Sequence, residues 1–78
     1  MDTIYILAKV DASHAEDIIA KVSKVEGVVF VHAVTGSYDI IVSMEGPNIT
    51  KLLSKSLKEI SGIEGVRSTE TLIAINLD

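Results

Sequence analysis

Apolar residues recur along this chain in two alternating rhythms. From Thr3 to Val10 nearly every position is apolar and several are β-branched, which predicts a strand ended by Asp11. Ala15, Ile18, Ile19, Val22 and Val25 then recur at helical spacing, with Lys21, Lys24 and Glu26 off the stripe. Ser13 and Glu16 have the spacing of a capping box that would open this helix, and Gly27 stands where a left-handed cap would close it. Val28 to Thr35 predicts a second strand and Tyr38 to Met44 a third, joined by a tight turn at Gly36-Ser37. Gly46-Pro47-Asn48 breaks the strand and opens a second helix with the face Ile49, Leu52, Leu53, Leu57 and Ile60, closed by Gly62. Val66 to Leu77 predicts the last strand.

The order is β-α-β-β-α-β, and the halves are weak copies of each other. Glu26-Gly27-Val28 recurs as Glu64-Gly65-Val66, each time where a helix hands over to a strand. Two βαβ halves joined by a hairpin predict an α+β, ferredoxin-like fold. Right-handed crossovers then place both helices on one face of a four-stranded antiparallel sheet. The other face would be polar in a monomer. Here Ile4, Ile6, Ala8 and Val10 oppose Tyr5 and Leu7; Val29, Val31 and Ala33 oppose Val28, Phe30 and Val34; Ile40, Val42 and Met44 oppose Ile41. Both faces carry large apolar side chains, so the expectation is a dimer that packs open sheet face on open sheet face.

Composition narrows the function. The 78 residues make one domain, 1–78, and there is no Cys to form a disulfide or a thiolate metal site, which leaves oligomerisation as the means of stabilising so small a core. The absence of Cys also suits a reducing cytoplasm. A net charge of −4 with seven basic residues argues against nucleic-acid binding, and an RNA-reading sheet would need more stacking aromatics than Tyr5 and Phe30. No apolar run is long enough for a membrane span, and Met1-Asp2-Thr3 lacks the basic start of a secretory signal. His14 and His32 lie in separate regions without a second ligand at metal-binding spacing, so no metal is expected. There is no phosphate loop and no nucleophile with a base beside it, which argues against an enzyme; no cofactor is expected.

Two motifs carry a resemblance. Val34-Thr35-Gly36-Ser37-Tyr38-Asp39-Ile40 resembles the Gly-x-Tyr-Asp turn of the ligand-binding (RAM) domain of the Lrp/AsnC transcription regulators. Gly65-Val66-Arg67-Ser68-Thr69-Glu70-Thr71 resembles that family's Gly-Val-x-x-Thr-x-Thr segment. The likeness spans the whole chain and implies sheet-to-sheet dimers that assemble into rings, such as an octamer or decamer. It also implies a free amino acid or similar metabolite as effector, bound between dimers. Carried over residue by residue, the site would comprise Gly36, Ser37, Tyr38, Asp39, Thr69 and Thr71. Backbone N–H groups of the turn would hold a carboxylate, Asp39 an ammonium, and the threonine hydroxyls either partner. The blander roles of these residues are a turn glycine, a turn-capping Asp39 and plain strand-forming threonines.

Full-length members of the family add a DNA-binding helix-turn-helix. This chain begins at the first strand, so the resemblance implies a stand-alone sensing domain that acts through partners, full-length regulators among them. Two other functions share the topology. ACT-like amino-acid sensors regulate an attached enzyme, and they often carry a glycine in the first strand–helix loop, where this chain has Asp11-Ala12-Ser13. Small dimeric α+β-barrel enzymes keep a polar cavity where this chain has aliphatic residues.

Overall fold

The structure, a computed structural model, describes residues 1–77. Strand β1 spans Asp2–Val10, helix α1 Ala15–Val22, β2 Val28–Ala33, β3 Ile40–Gly46, helix α2 Ile49–Lys55 and β4 Val66–Ile73. The strands form one antiparallel sheet in the order β2-β3-β1-β4. This is the expected ferredoxin-like arrangement. The period-2 alternation of β1 buries Ile4, Ile6 and Ala8, and β3 adds Ile40, Val42 and Met44 from the same face. Ile18 and Val22 of α1 close over them, with Leu52 and Ile60 from the second helical segment. The core is therefore a single layer between the sheet and the helices.

The repeated Glu-Gly-Val motif has a common geometry. Gly27 and Gly65 have φ of 95° and 96°, a region that side chains rarely enter, and each turns the chain into a strand. Gly65 also lies under the first helical segment, where an added Cβ would come within 2.6 Å of the His14 Cβ. Its carbonyl accepts the Asp11 N–H at 2.9 Å, so the turn before α1 is fixed by contact with the start of β4.

That contact explains why the capping box does not form. Residues Ala12–His14 make a 3-10 turn, α1 begins at Ala15, and the Ser13 hydroxyl lies 3.3 Å from His14 Nδ1 instead of capping the helix. The hairpin is also wider than the Gly36-Ser37 signal implied. β2 ends at Ala33 and β3 starts at Ile40, and the intervening residues bond across the loop through Val34 N–H to the Asp39 carbonyl at 2.9 Å.

A bulge between Val28 and Phe30 alters the faces of β2. Val28 pairs with Met44 and Val31 with Val42, so Val28 joins the helix side, while Phe30 pairs with Ser43 on the open side. In the second helical segment, α2 runs into a π turn at Ser56–Ile60, closed by Ser61 N–H to the Ser56 carbonyl at 3.0 Å. The buried stripe there is Leu52, Ser56 and Ile60, and Leu57 is 70% exposed rather than part of the core face. The last strand stops at Ile73, short of the expected Leu77, after which Ala74 N–H bonds the Thr3 carbonyl.

The open face carries large apolar side chains on all four strands. Phe30, Ser43, Tyr5 and Leu72 form one cross-strand row, and His32, Ile41, Leu7 and Glu70 the next. Ser43 is only 3% exposed in the first row, while Leu72 at its edge is 43% exposed. The Phe30 and His32 rings stack with centroids 4.6 Å apart.

Replacing Gly65 by Ala adds a clash to an unfavourable φ, whereas Gly36 (φ 111°) has nothing within 4 Å of a built Cβ. Gly65→Ala is expected to lower unfolding free energy by about 2 kcal/mol or more, and Gly36→Ala by only about 1 kcal/mol. Urea titration of the two variants checks this; equal losses would contradict it.

Candidate functional site

The hairpin loop is tied to the sheet at its base. Asp39 N–H donates to the Ala8 carbonyl, and its carboxylate Oδ2 accepts the Val10 N–H, both at 2.9 Å. Asp39 thus satisfies the last backbone donor of β1, where the pairing with β4 shifts register between Lys9 and Val10. This is its capping role, and it engages one of the two carboxylate oxygens. Gly36, at the tip, has the positive φ that the turn requires, and Ser37 beside it is exposed.

Tyr38 folds back onto the open face of the sheet. Its hydroxyl donates to Glu70 Oε1, and the Lys9 ammonium lies 5.7 Å from its ring centroid. The hydrogen bond to the Glu70 carboxylate holds the phenol above its ordinary pKa of 10.0, with smaller contributions from desolvation and from the carboxylate's charge. Lys9 and Glu70 reach this place by strand alternation. Glu70 is opposite Leu7, Lys9 is opposite Ser68, and all four point to the open side.

Thr69 and Thr71 share a face, as expected, but it is the other one. They pair with Ala8 and Ile6 on the helix side. The Thr69 hydroxyl lies 3.2 Å from the Ser61 hydroxyl at the end of the second helical segment, while Thr71 is exposed. The six residues singled out in the sequence therefore fall into two groups at one end of the sheet. Gly36, Ser37, Tyr38 and Asp39 stay together in the hairpin, and the threonines lie across β4 from Tyr38. Because β4 is an edge strand, both of its faces open to the same flank. A cleft of about 330 Å³ lies at the opposite end, floored by Leu52 and Gly46 and rimmed by Glu26 and Lys55, which pair at 3.1 Å; none of the hairpin residues line it.

The sequence profile of the Lrp/AsnC ligand binding domain matches residues 3–77. The chain belongs to the Lrp/AsnC family. It is 36% identical over 61 residues to the HTH-type transcriptional regulator LysM of Sulfurisphaera tokodaii, covering 78% of this chain and 43% of LysM. It spans less than half the length of the curated relatives it matches. Among solved structures, a protein of Thermus thermophilus superposes with a TM-score of 0.92 at 26% identity, covering 100% of this chain and 98% of the other. A transcriptional regulator of Neisseria meningitidis in complex with L-Met superposes with a TM-score of 0.85, over 97% of this chain and 51% of that one; at 18% identity it shares the fold alone.

Within this Lrp/AsnC domain, Lys9 and Glu70 are the side chains beside the hairpin that the motifs did not single out. A signal for each was present. Lys9 is the lone charge between Thr3 and Val10, and Glu70 sits between the two threonines with the opposite strand parity. Among the described residues, no group of three or more His, Cys, Asp or Glu could hold a metal ion, and no helix is long and apolar enough to cross a membrane.

The raised Tyr38 pKa has a definite sign. The folded chain favours the neutral phenol, so its contribution to stability is present below the unfolded pKa of about 10 and is lost as pH rises through the folded value. Spectrophotometric titration in a Tyr5→Phe background, which leaves Tyr38 as the sole tyrosine, is expected to show ionisation above 10. Glu70→Ala should bring it back toward 10, since it removes the hydrogen-bond acceptor and the carboxylate's charge together. An unchanged titration curve would contradict the Tyr38–Glu70 contact.

Proposed function

We propose that this Lrp/AsnC domain works as an oligomeric small-molecule sensor, with a free amino acid as its effector, and that it acts by binding rather than by catalysis. The observation that carries the reading is the family match over residues 3–77. The hairpin end of the sheet supports it with chemistry suited to a small polar ligand: the Gly36-Ser37 backbone, the second carboxylate oxygen of Asp39, and Tyr38 with its charged neighbours. Thr69 and Thr71 on the adjoining edge of β4 reach the ligand when a second dimer closes the site.

The apolar row through Phe30, Tyr5 and Leu72 supports a dimer built face to face on the open side of the sheet. In this reading such dimers close further into a ring, an octamer or decamer, and effector binding shifts the balance between assemblies. That coupling is reciprocal: whatever ring the effector favours also binds the effector more tightly. The same surfaces admit full-length Lrp/AsnC relatives into mixed rings. The domain then modulates transcription in the cytoplasm without touching DNA itself, in keeping with its net charge of −4.

Thermal unfolding in the presence of each of the twenty amino acids tests the reading. One or a few are expected to raise Tm by roughly ten degrees or more at hundredfold excess over Kd, because a ligand that binds only the folded state stabilises it by mass action. If none of the twenty moves Tm, the amino-acid sensor reading is wrong.

A further inference from the structure

The cleft at the end of the sheet opposite the hairpin has a volume of about 330 Å³. Small-molecule pockets span about 300–1,000 Å³, so this one suits a small ligand. Two glycines keep it open. A Cβ on Gly46 would come within 3.1 Å of Leu52 Cδ2, and one on Gly27 within 3.2 Å of the Glu45 carbonyl. The lining is mostly apolar, but the charges at its rim are unequal. Glu26 is paired with Lys55, whose ammonium lies 3.1 Å from the carboxylate and also donates to the Glu26 carbonyl. Glu45 follows Ile41 and Ser43 in strand alternation, so its carboxylate is directed to the open face of the sheet, away from the cleft. Lys51 is exposed and, among the described residues, in no ion pair. Asn48 Oδ1 accepts the Lys51 backbone N–H at 3.0 Å, which leaves the Asn48 amide NH2 as a second donor beside it. The cleft is thus an apolar hollow with a cation and an amide donor at its rim and no free anion facing them.

We propose that this cleft is a second ligand site, separate from the hairpin, and that it takes a small carboxylate with an apolar body. The body, a branched aliphatic chain or a phenyl ring, lies on Leu52 and Gly46. The carboxylate meets the Lys51 ammonium and the Asn48 amide. Charge-assisted hydrogen bonds are about twice as strong as neutral ones, so the acid is preferred to its amide. An ammonium on the ligand finds no free partner, because Glu26 is held by Lys55 and Glu45 is directed to the other face. That separates this ligand class from the amino acids proposed for the hairpin. The cleft lies on the helix side of the sheet, between α2 and the turns that lead into β2 and α2, so a second copy on the open face leaves it accessible.

Amide NMR titration of the full chain with phenylacetate and 4-methylpentanoate, each beside its neutral amide, tests this. At least one acid is expected to bind with a Kd on the order of 1 mM or tighter, as suits so small a probe, and to shift Gly27, Gly46, Lys51 and Leu52 in a saturable way. Its amide should bind about fivefold more weakly or worse. Lys51→Gln, a change at an exposed position, is expected to remove that preference while leaving the amide's Kd unchanged. Gly46→Ala fills the floor and should weaken acid and amide alike; Lys51→Gln decides the matter if Gly46→Ala fails to fold. Acid and amide that bind equally, or an acid that binds Lys51→Gln as it binds the native chain, would overturn the proposal. So would shifts confined to Gly36–Asp39, which would assign the acid to the hairpin. A chain that no probe shifts at the cleft, yet that responds to an amino acid at the hairpin, would overturn this proposal and leave the sensor reading standing.

Discussion

A four-stranded sheet has two faces, and the two helical segments of this chain cover one. The placement of the core and of the exposed apolar surface follows from that imbalance. The core lies on the covered face and includes Ile4, Ile6, Val42 and Met44 under Ile18, Val22, Leu52 and Ile60. Truncating any of these to Ala would cost about 2–5 kcal/mol, a large share of the stability a domain of this size possesses. The open face presents Tyr5, Leu7, Phe30, Ile41 and Leu72 where a solitary sheet would present polar residues. Water against that surface is unfavourable in proportion to its apolar area.

The hairpin end is built on a different principle. There the chain uses polar groups to hold its own loop: the Asp39 carboxylate on the Val10 N–H, the Asp39 N–H on the Ala8 carbonyl, the Tyr38 hydroxyl on Glu70. Each bond ties the loop to β1 or to β4, the inner and outer strands on one side of the sheet. A ligand that engages the loop is therefore in mechanical contact with the edge strand, and through it with any neighbour docked on that edge. Under the proposed function, that contact links a small molecule at the rim to assembly without disturbing the core.

Much of this was legible in the chain. Period-2 runs and 3.6-residue stripes located all six main elements, and the doubled Glu-Gly-Val motif marked two turns that share one backbone conformation. What escaped was tertiary in origin. The Ser13–Glu16 spacing lost to the packing of His14 on Gly65. The bulge in β2 moved Val28 to the helix side, a shift no alternation pattern encodes. Leu57, at the margin of its apolar stripe, is left outside as the helix ends in a π turn and Ser56 takes the inner position. At the site, the Gly36-Ser37-Tyr38-Asp39 motif stayed together, whereas Lys9 and Glu70 came beside it only through the register of β1 with β4. Register is a property of the pair of strands, so neither residue could be placed from its own neighbourhood.

Under the proposed function, another copy of the chain covers the open sheet face. Light scattering at micromolar concentration, without any added effector, tests it most directly. A mass of at least twice the 8.4 kDa of one chain is expected, and an even multiple of it if rings form. A stable monomer at that concentration would contradict it, because the row through Phe30, Tyr5 and Leu72 would then be an exposed surface in water.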